Sequence, residues 1–186
     1  PEQRIYDGQK PKTLAVLGTD FEGLKPQMLI SEGDKVKRGT PLFCHKDFPE
    51  VMFVSPCKGY IERINRGERR ILLSVVIAVE NLSDNGINFI KLHNKIKPEV
   101  EFVRKCLLDS GLWSSFLTRP YSKVPSPNSD PSSIFVTAMD TEPLCPDADL
   151  IINNNLDAFK EGVKKISLLT KGNVFTCKKK DSQIEI

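Results

Sequence analysis

The chain has 186 residues, of which 39% are hydrophobic and 27% charged, a balance that suits one large globular domain or two small ones. No apolar run reaches the roughly eighteen residues of a spanning helix. The net charge of +3 is too weak to imply a nucleic-acid partner, and the one dense basic run, Lys178-Lys179-Lys180, reads as a solvated tail.

The opening segment, PEQRIYDGQKPK, has neither the apolar core of a signal peptide nor an initial Met, so the numbered chain is expected to begin inside a longer protein. Residues 13–17, TLAVL, read as a short buried strand. FEGLKPQMLI follows, where Gly23 and Pro26 prevent a long helix, and MLIS is a strand candidate. SEGD supplies a turn. KVKRGTPLFCH resumes extended character, with Gly39 and Pro41 marking a second bend. VMFVSP is a strand rich in β-branched and aromatic residues. Pro56 to Gly59 turns the chain into YIERIN, whose alternation points Tyr60, Glu62 and Ile64 one way and Ile61 and Arg63 the other. RGERR is another turn, and ILLSVVIAVE is a strongly apolar strand. Residues 13–80 therefore predict an all-β module, a small barrel or sandwich.

After Asn81 the character changes. KPEVEFVRKCLLDSGLW predicts a helix, with Val100, Val103, Leu107 and Leu108 at helical spacing and Gly111 as its stop. RPYSKVPSPNSDPSS holds four prolines and many hydroxyl residues, so it is a loop, long enough to be functional or linking. IFVTAMD is a strand, LDAFKEGVKKISLLT an amphipathic helix and NVFTC a second strand. That order is a βαβ unit, which predicts parallel pairing. One such unit does not complete a doubly wound sheet, so the chain reads as a fragment. The expected division is a β module over 1–95 and a helix, Pro-rich loop and partial Rossmann-like α/β domain over 96–186.

Five cysteines, Cys44, Cys57, Cys106, Cys145 and Cys177, are widely spaced and form no C-x-x-C pair. Zinc and iron–sulfur ligation therefore have little support, and free thiols in a reducing compartment fit best. His45 and His93 lie far apart, with no third ligand evident, so no metal site is expected.

The stretch EGDKVKRGTPLF, residues 32–43, concentrates turn chemistry between apolar runs. Gly33 and Gly39 suit positive φ where the chain reverses. Val36 and Leu42 suit the core, while Lys35, Lys37 and Arg38 stay in water. This pattern, followed by Val54-Ser55-Pro56-Cys57-Lys58-Gly59-Tyr60-Ile61, resembles the biotinyl/lipoyl-like module. That resemblance implies a barrel-sandwich fold. A carrier of this kind holds a modifiable lysine at a hairpin tip. The corresponding segment here, His45 to Val51, centres on Phe48-Pro49, with Lys46 out of register and no flanking Met, so an unmodified structural module is expected.

A wider resemblance covers nearly the whole chain. It rests on Ala15-Val16-Leu17-Gly18, Asp20-Phe21-Glu22-Gly23, Lys25-Pro26, the 32–43 turn, Ile64 to Arg70, Ser74 to Ile77, Arg119 to Val124-Pro125 and Ile134 to Thr141. In number and order these are similar to the A subunits of sodium-translocating NADH:quinone reductases. The resemblance implies a peripheral subunit on the cytoplasmic side of the bacterial inner membrane, in a respiratory complex that uses NADH, flavins, iron–sulfur and ubiquinone and pumps sodium. It implies other subunits as partners, chiefly one in the membrane, and a link to quinone binding. Members of that family are much longer, so a missing C-terminal part is expected.

The residues themselves give this chain no redox cofactor. A dinucleotide or flavin phosphate normally needs glycines between the first strand and its helix. The crossover Thr141 to Asp149 has none; Asp140, Glu142, Asp147 and Asp149, with two prolines, fill it with negative charge. The same acids suit a sodium ion in principle, but a solvated, helix-capping loop is the simpler reading. A quinone head group wants an apolar slot, an aromatic face and donors for its carbonyls. Trp113, Phe116, Arg119, Tyr121 and Lys123, around the Pro-rich loop, are the candidates for quinone binding; alternatively the two aromatics fill core and Arg119 caps a helix. No catalytic residue is assigned. Two roles follow: a non-catalytic subunit that shapes or shields a quinone site, or a purely structural docking subunit on the membrane partner.

Overall fold

A computed structural model describes residues 3–184. Its contacts divide the chain into two compact units, residues 9–129 and residues up to Gly8 together with those from Asp130 onward. By packing, the boundary between the two units falls at 129/130.

The larger unit is the β module. Seven strands run as β1 (Thr13–Leu17), β2 (Pro26–Met28), β3 (Lys35–Val36), β4 (Pro41–His45), β5 (Phe48–Val54), β6 (Lys58–Arg66) and β7 (Leu72–Asn81). They form two sheets, with strand orders β1-β7-β6-β3 and β2-β4-β5. The core between them takes Val36, Leu42, Phe43, Val51, Phe53, Ile61, Val75 and Ile77, all buried. Phe43 stacks on Phe53 at 4.7 Å and Phe21 meets Phe53 edge-on at 4.6 Å. This is a barrel-sandwich, as expected.

The opening turn behaves as its glycines predict: Gly33 and Gly39 have φ of +90° and +89°, where a Cβ would be strained. Val36 and Leu42 are buried, and Lys35, Lys37 and Arg38 exposed. Ser55 is fully buried and fully used. Its N–H donates to the Thr40 carbonyl, its carbonyl accepts from Gly39 N–H, and its hydroxyl donates to the Cys57 carbonyl at 2.8 Å.

Three local expectations are corrected. The second strand is Pro26–Met28, two residues earlier than MLIS, because it pairs with Phe43–His45. The alternation of YIERIN breaks at a β-bulge between Ile61 and Arg63, so Ile64 is half-buried rather than facing out with Tyr60 and Glu62. The β4–β5 hairpin pairs His45 with Phe48, so the turn is Lys46-Asp47 and Pro49 lies within β5. That strand is at the edge of its sheet, where a missing N–H is tolerated.

Two helices complete this unit. The short α1 (Phe89–His93), absent from the sequence prediction, is capped by the Asn88 side chain. Its five residues are too few to show a period. The predicted helix is α2 (Glu99–Asp109), buried through Val103 and Leu108. Gly111 ends it with φ of +79°, close against Val54 and the Met52 carbonyl of β5. Here α2 packs on the β module, which is why that unit extends to residue 129.

The second unit is strand, helices, strand: β8 (Ile134–Thr137), α3 (Ala148–Asn153), α4 (Leu156–Ile166) and β9 (Val174–Cys177). β8 and β9 pair in parallel, Phe135 opposite Phe175. The α4 helix is amphipathic, with Leu156, Phe159, Val163 and Ile166 half-buried. The six-residue α3 has no counterpart in the sequence prediction.

Candidate functional site

The five candidate residues lie on the segment after α2, all within the larger unit. A short helical turn, Leu112–Ser115, buries Trp113. The indole N–H donates to the Pro125 carbonyl at 3.0 Å, Phe116 meets the ring edge-on at 5.4 Å, and the Arg104 guanidinium of α2 lies 5.6 Å over it. Arg104 also donates to the carbonyls of Pro127 and Ser129. This geometry explains how a long segment without regular structure holds one path. The aromatic platform and one guanidinium satisfy loop carbonyls that would otherwise be stranded on a half-buried surface.

Between Thr118 and Lys123 the chain closes a small loop. Thr118 N–H and its hydroxyl both donate to the Lys123 carbonyl, at 2.8 and 3.0 Å, and Ser122 N–H donates to the Thr118 carbonyl. Ser122 has φ of +51°. The tip so formed shows Arg119, Tyr121 and Lys123 to solvent, Tyr121 at 73% exposure. The structure therefore splits the candidates. Trp113 and Phe116 face inward as platform, and Arg119, Tyr121 and Lys123 face outward as donors. Arg119 caps no helix; it lies beyond every helical end on this segment. Exposed Leu112 and Leu117 supply the apolar surface near the tip. Sequence reasoning missed them, and Arg104, because exposure and cross-element contact have no local signature. A cleft of about 290 Å³ on the same unit is lined elsewhere, by residues that include Lys10, Lys12, Glu80 and Asn81.

The acidic crossover is built for itself. Asp147 caps α3 by accepting from Asp149 N–H at 3.1 Å, and Lys179 lies 2.8 Å from the same carboxylate oxygen. The hydrogen bond from Lys179, then the backbone N–H of Asp149, hold the Asp147 carboxyl below the usual range; the same bond raises the Lys179 ammonium. Asp140 accepts from Glu142 N–H at 2.9 Å. The side chain of Gln3 accepts from Asp147 N–H. The basic run is likewise not a free tail: Lys178 donates to the Ile184 carbonyl while Lys179 pairs with Asp147.

Both histidines have polar neighbours, while the buried Asp84 Oδ2 and Asp149 Oδ1 have no hydrogen-bond partner among the described residues. His93 Nε2 sits 2.9 Å from Asp109, whose other oxygen takes Lys105, joining α1 to α2. His45 Nδ1 accepts from Asp47 N–H. All five cysteines are free thiols, and burial pushes Cys44, Cys57 and Cys106 up, away from the reactive thiolate. Among the described residues no group of three or more His, Cys, Asp or Glu is placed to hold a metal ion, and no helix is long and apolar enough to cross a membrane.

A barrel-sandwich β module followed by an α/β unit with a self-capped first crossover defines the class. Two family models match in the same order: the NqrA N-terminal barrel-sandwich hybrid domain over residues 1–80 and the NqrA second alpha/beta domain over residues 99–186. The chain belongs to the NqrA family. It is 46% identical over 181 residues to the A subunit of the Na(+)-translocating NADH-quinone reductase of Serratia proteamaculans, covering 95% of this chain and 40% of that protein. The corresponding protein of Neisseria meningitidis serogroup B is 43% identical over 184 residues, with 96% and 40% covered. That of Vibrio atlanticus is 42% identical over 179 residues, with 96% and 40% covered. The chain thus spans about 40% of the length of the curated relatives it matches.

Proposed function

We propose that this chain acts within a sodium-translocating NADH-quinone reductase, as part of a peripheral subunit on the cytoplasmic face of the bacterial inner membrane. In this reading a membrane subunit holds it, other subunits carry the flavins and iron–sulfur centres between NADH and ubiquinone, and this chain contributes to quinone binding or shielding. The observation that supports it most is the ordered match of residues 1–80 and 99–186 to two domains of one family, at 42–46% identity to named A subunits. The self-capped crossover supports the part that assigns no redox cofactor here. Asp147 already occupies the helix N-terminus that a phosphate would use, and repels a second anion.

The residues proposed to face quinone are Arg119, Tyr121 and Lys123, with Trp113 and Phe116 bracing them from beneath. Arg119→Ala in the assembled enzyme tests this. Loss of a charge-assisted hydrogen bond to a quinone carbonyl raises KM for quinone about tenfold or more, with assembly and NADH-to-flavin transfer unchanged. A fully assembled variant with unchanged quinone kinetics removes Arg119 from the site.

A second reading, docking onto the membrane partner, is favoured by the exposure of Leu112, Leu117 and Tyr121 beside the cationic tip. Exposed aromatic and arginine side chains are the usual anchors of protein interfaces. Photolabelling the complex with a quinone analogue separates the two: label on residues 113–123 supports quinone contact, and label confined to other subunits supports docking.

A further inference from the structure

The end of the β6–β7 hairpin carries an unusual surface. Arg66, Arg69 and Arg70 are all exposed, with Glu68 the one acid among them. Beside them Ile71 is 59% and Leu73 42% exposed. β6 and β7 are the central strands of their sheet; Gly18, just after β1, packs against buried Leu72, and the largely exposed loop 66–71 beyond it forms the tip at the sheet's end. The loop is internally tied: Gly67 N–H donates to the Ile71 carbonyl, Arg70 N–H to that of Gly67 and Ile71 N–H to that of Glu68. Arg66 donates to the Arg70 carbonyl at 3.2 Å. Arg69 and Arg70 both hold left-handed backbone, φ of +52° and +62°, which non-glycine residues rarely adopt. The fold therefore presents three exposed arginines on one tied loop, next in sequence to exposed Ile71 and partly exposed Leu73.

By contrast, the densest basic run is engaged within its own unit, on Asp147 and a backbone carbonyl. The hairpin instead sets its cations beside exposed aliphatic surface. Guanidinium groups bind phosphate oxygens bidentately, and an aliphatic side chain between them can enter the acyl boundary while the cations stay at the headgroups. A projecting tip has no groove to seat an extended acidic peptide; it matches a deformable, planar anionic surface.

We propose that the β6–β7 hairpin is a lipid-docking element, in which Arg66, Arg69 and Arg70 engage anionic phospholipid headgroups and Ile71 inserts beneath them. The contact orients the β module on the bilayer independently of any protein partner. Its strength depends on salt, because the cations act across a screened aqueous interface.

Vesicle co-sedimentation of the chain tests it, with phosphatidylcholine alone and with about one-third phosphatidylglycerol. Binding is expected only to the anionic vesicles and weakens as salt rises. The variant Arg66→Gln/Arg69→Asn/Arg70→Asn lowers the partition coefficient roughly 100-fold, at about fivefold per cation. Asn is chosen because it tolerates left-handed backbone. Ile71→Ser, which leaves the loop backbone and all cations in place, lowers it about tenfold and remains interpretable if the triple variant misfolds. Lys35→Gln/Lys37→Gln changes charge away from the tip and leaves binding nearly unchanged. Equal binding to neutral vesicles, no vesicle binding at all, capture by an acidic polypeptide only, or an equal loss in the lysine variant overturns the assignment. None of these outcomes depends on quinone kinetics, so the hairpin and the proposed function fail separately.

Discussion

Trp113 decides whether the Pro-rich loop is held by core packing or is a pocket wall awaiting a ligand. The side chain is 3% exposed, donates to Pro125, and sits between Phe116 and Arg104. Replacing a buried Trp by Ala costs about 4 kcal/mol through lost transfer energy and the cavity left behind. With a urea slope of about 2 kcal/mol per molar, the midpoint for the larger unit falls by about 2 M. Trp113→Phe keeps a ring for Phe116 and Arg104 but leaves the Pro125 carbonyl without its donor, a loss of about 1–2 kcal/mol and a shift of about 0.5–1 M. Far-UV circular dichroism is the assay, because Trp113 is the only tryptophan and both variants abolish its fluorescence. A midpoint for Trp113→Ala within about 0.3 M of the parent refutes the platform argument; if KM for quinone then rises in the assembled enzyme, the ring is a pocket wall.

Gly59→Ala places a Cβ 2.0 Å from the Ala78 carbonyl oxygen, backbone that cannot step aside, and is expected to destabilise the module by more than about 2 kcal/mol in urea unfolding. Gly33→Ala meets open space and loses only through φ of +90°, about 1 kcal/mol, so the reverse ranking of the two variants rejects this reading of the glycines. The Asp147–Lys179 pair stabilises its unit fully between the ordinary carboxylate pKa of about 4 and the ordinary lysine pKa of about 10.4. With the Asp147 value lowered and the Lys179 value raised, that stabilisation is lost as pH falls through the first or rises through the second. The melting difference between parent and Lys179→Met should therefore vanish at both extremes and shrink in high salt; a difference independent of pH rules the pair out as its source. Under native alkylation followed by peptide mass spectrometry, exposed Cys177 reacts first while buried Cys44 and Cys57 stay protected; early labelling of Cys57 contradicts its burial.

Strong periodicity and punctuation make much of the fold legible. TLAVL matches β1 to the residue, although the strand is half-exposed and not buried as expected; ILLSVVIAVE differs from β7 by one at each end, and Gly111 stops α2 as its position predicts. What local pattern misses has specific causes. The bulge after Ile61 inserts a residue that only the β7 register reveals. Pro49 disguises a strand as a turn because edge position is a property of the sheet, and Lys46, which looks out of register in sequence, sits in the two-residue turn itself. The five candidate site residues are close in sequence, and sequence distance gives no means of separating Trp113 and Phe116, drawn inward by Arg104 and Pro125, from the three that a tight loop turns outward.

On the proposed reading, the crossover after β8 keeps an α/β architecture without the phosphate site usually associated with it. A helix N-terminus concentrates unpaired N–H groups and partial positive charge, and something must satisfy them. In a phosphate site, glycines clear the way and the ligand supplies the anion. Here the anion is covalent: Asp147 accepts from Asp149 N–H, Lys179 balances its charge from across the unit, and Asp140 serves the adjoining turn. Removing the carboxylate alone does not create a phosphate site, because Asp140, Glu142 and Asp149 still set a negative potential and no glycine admits the ligand to the backbone. Restoring nucleotide affinity would require both changes together, glycine for bulk and neutral residues for acid. That double requirement separates this crossover from a merely vacant cradle, in which one substitution would suffice.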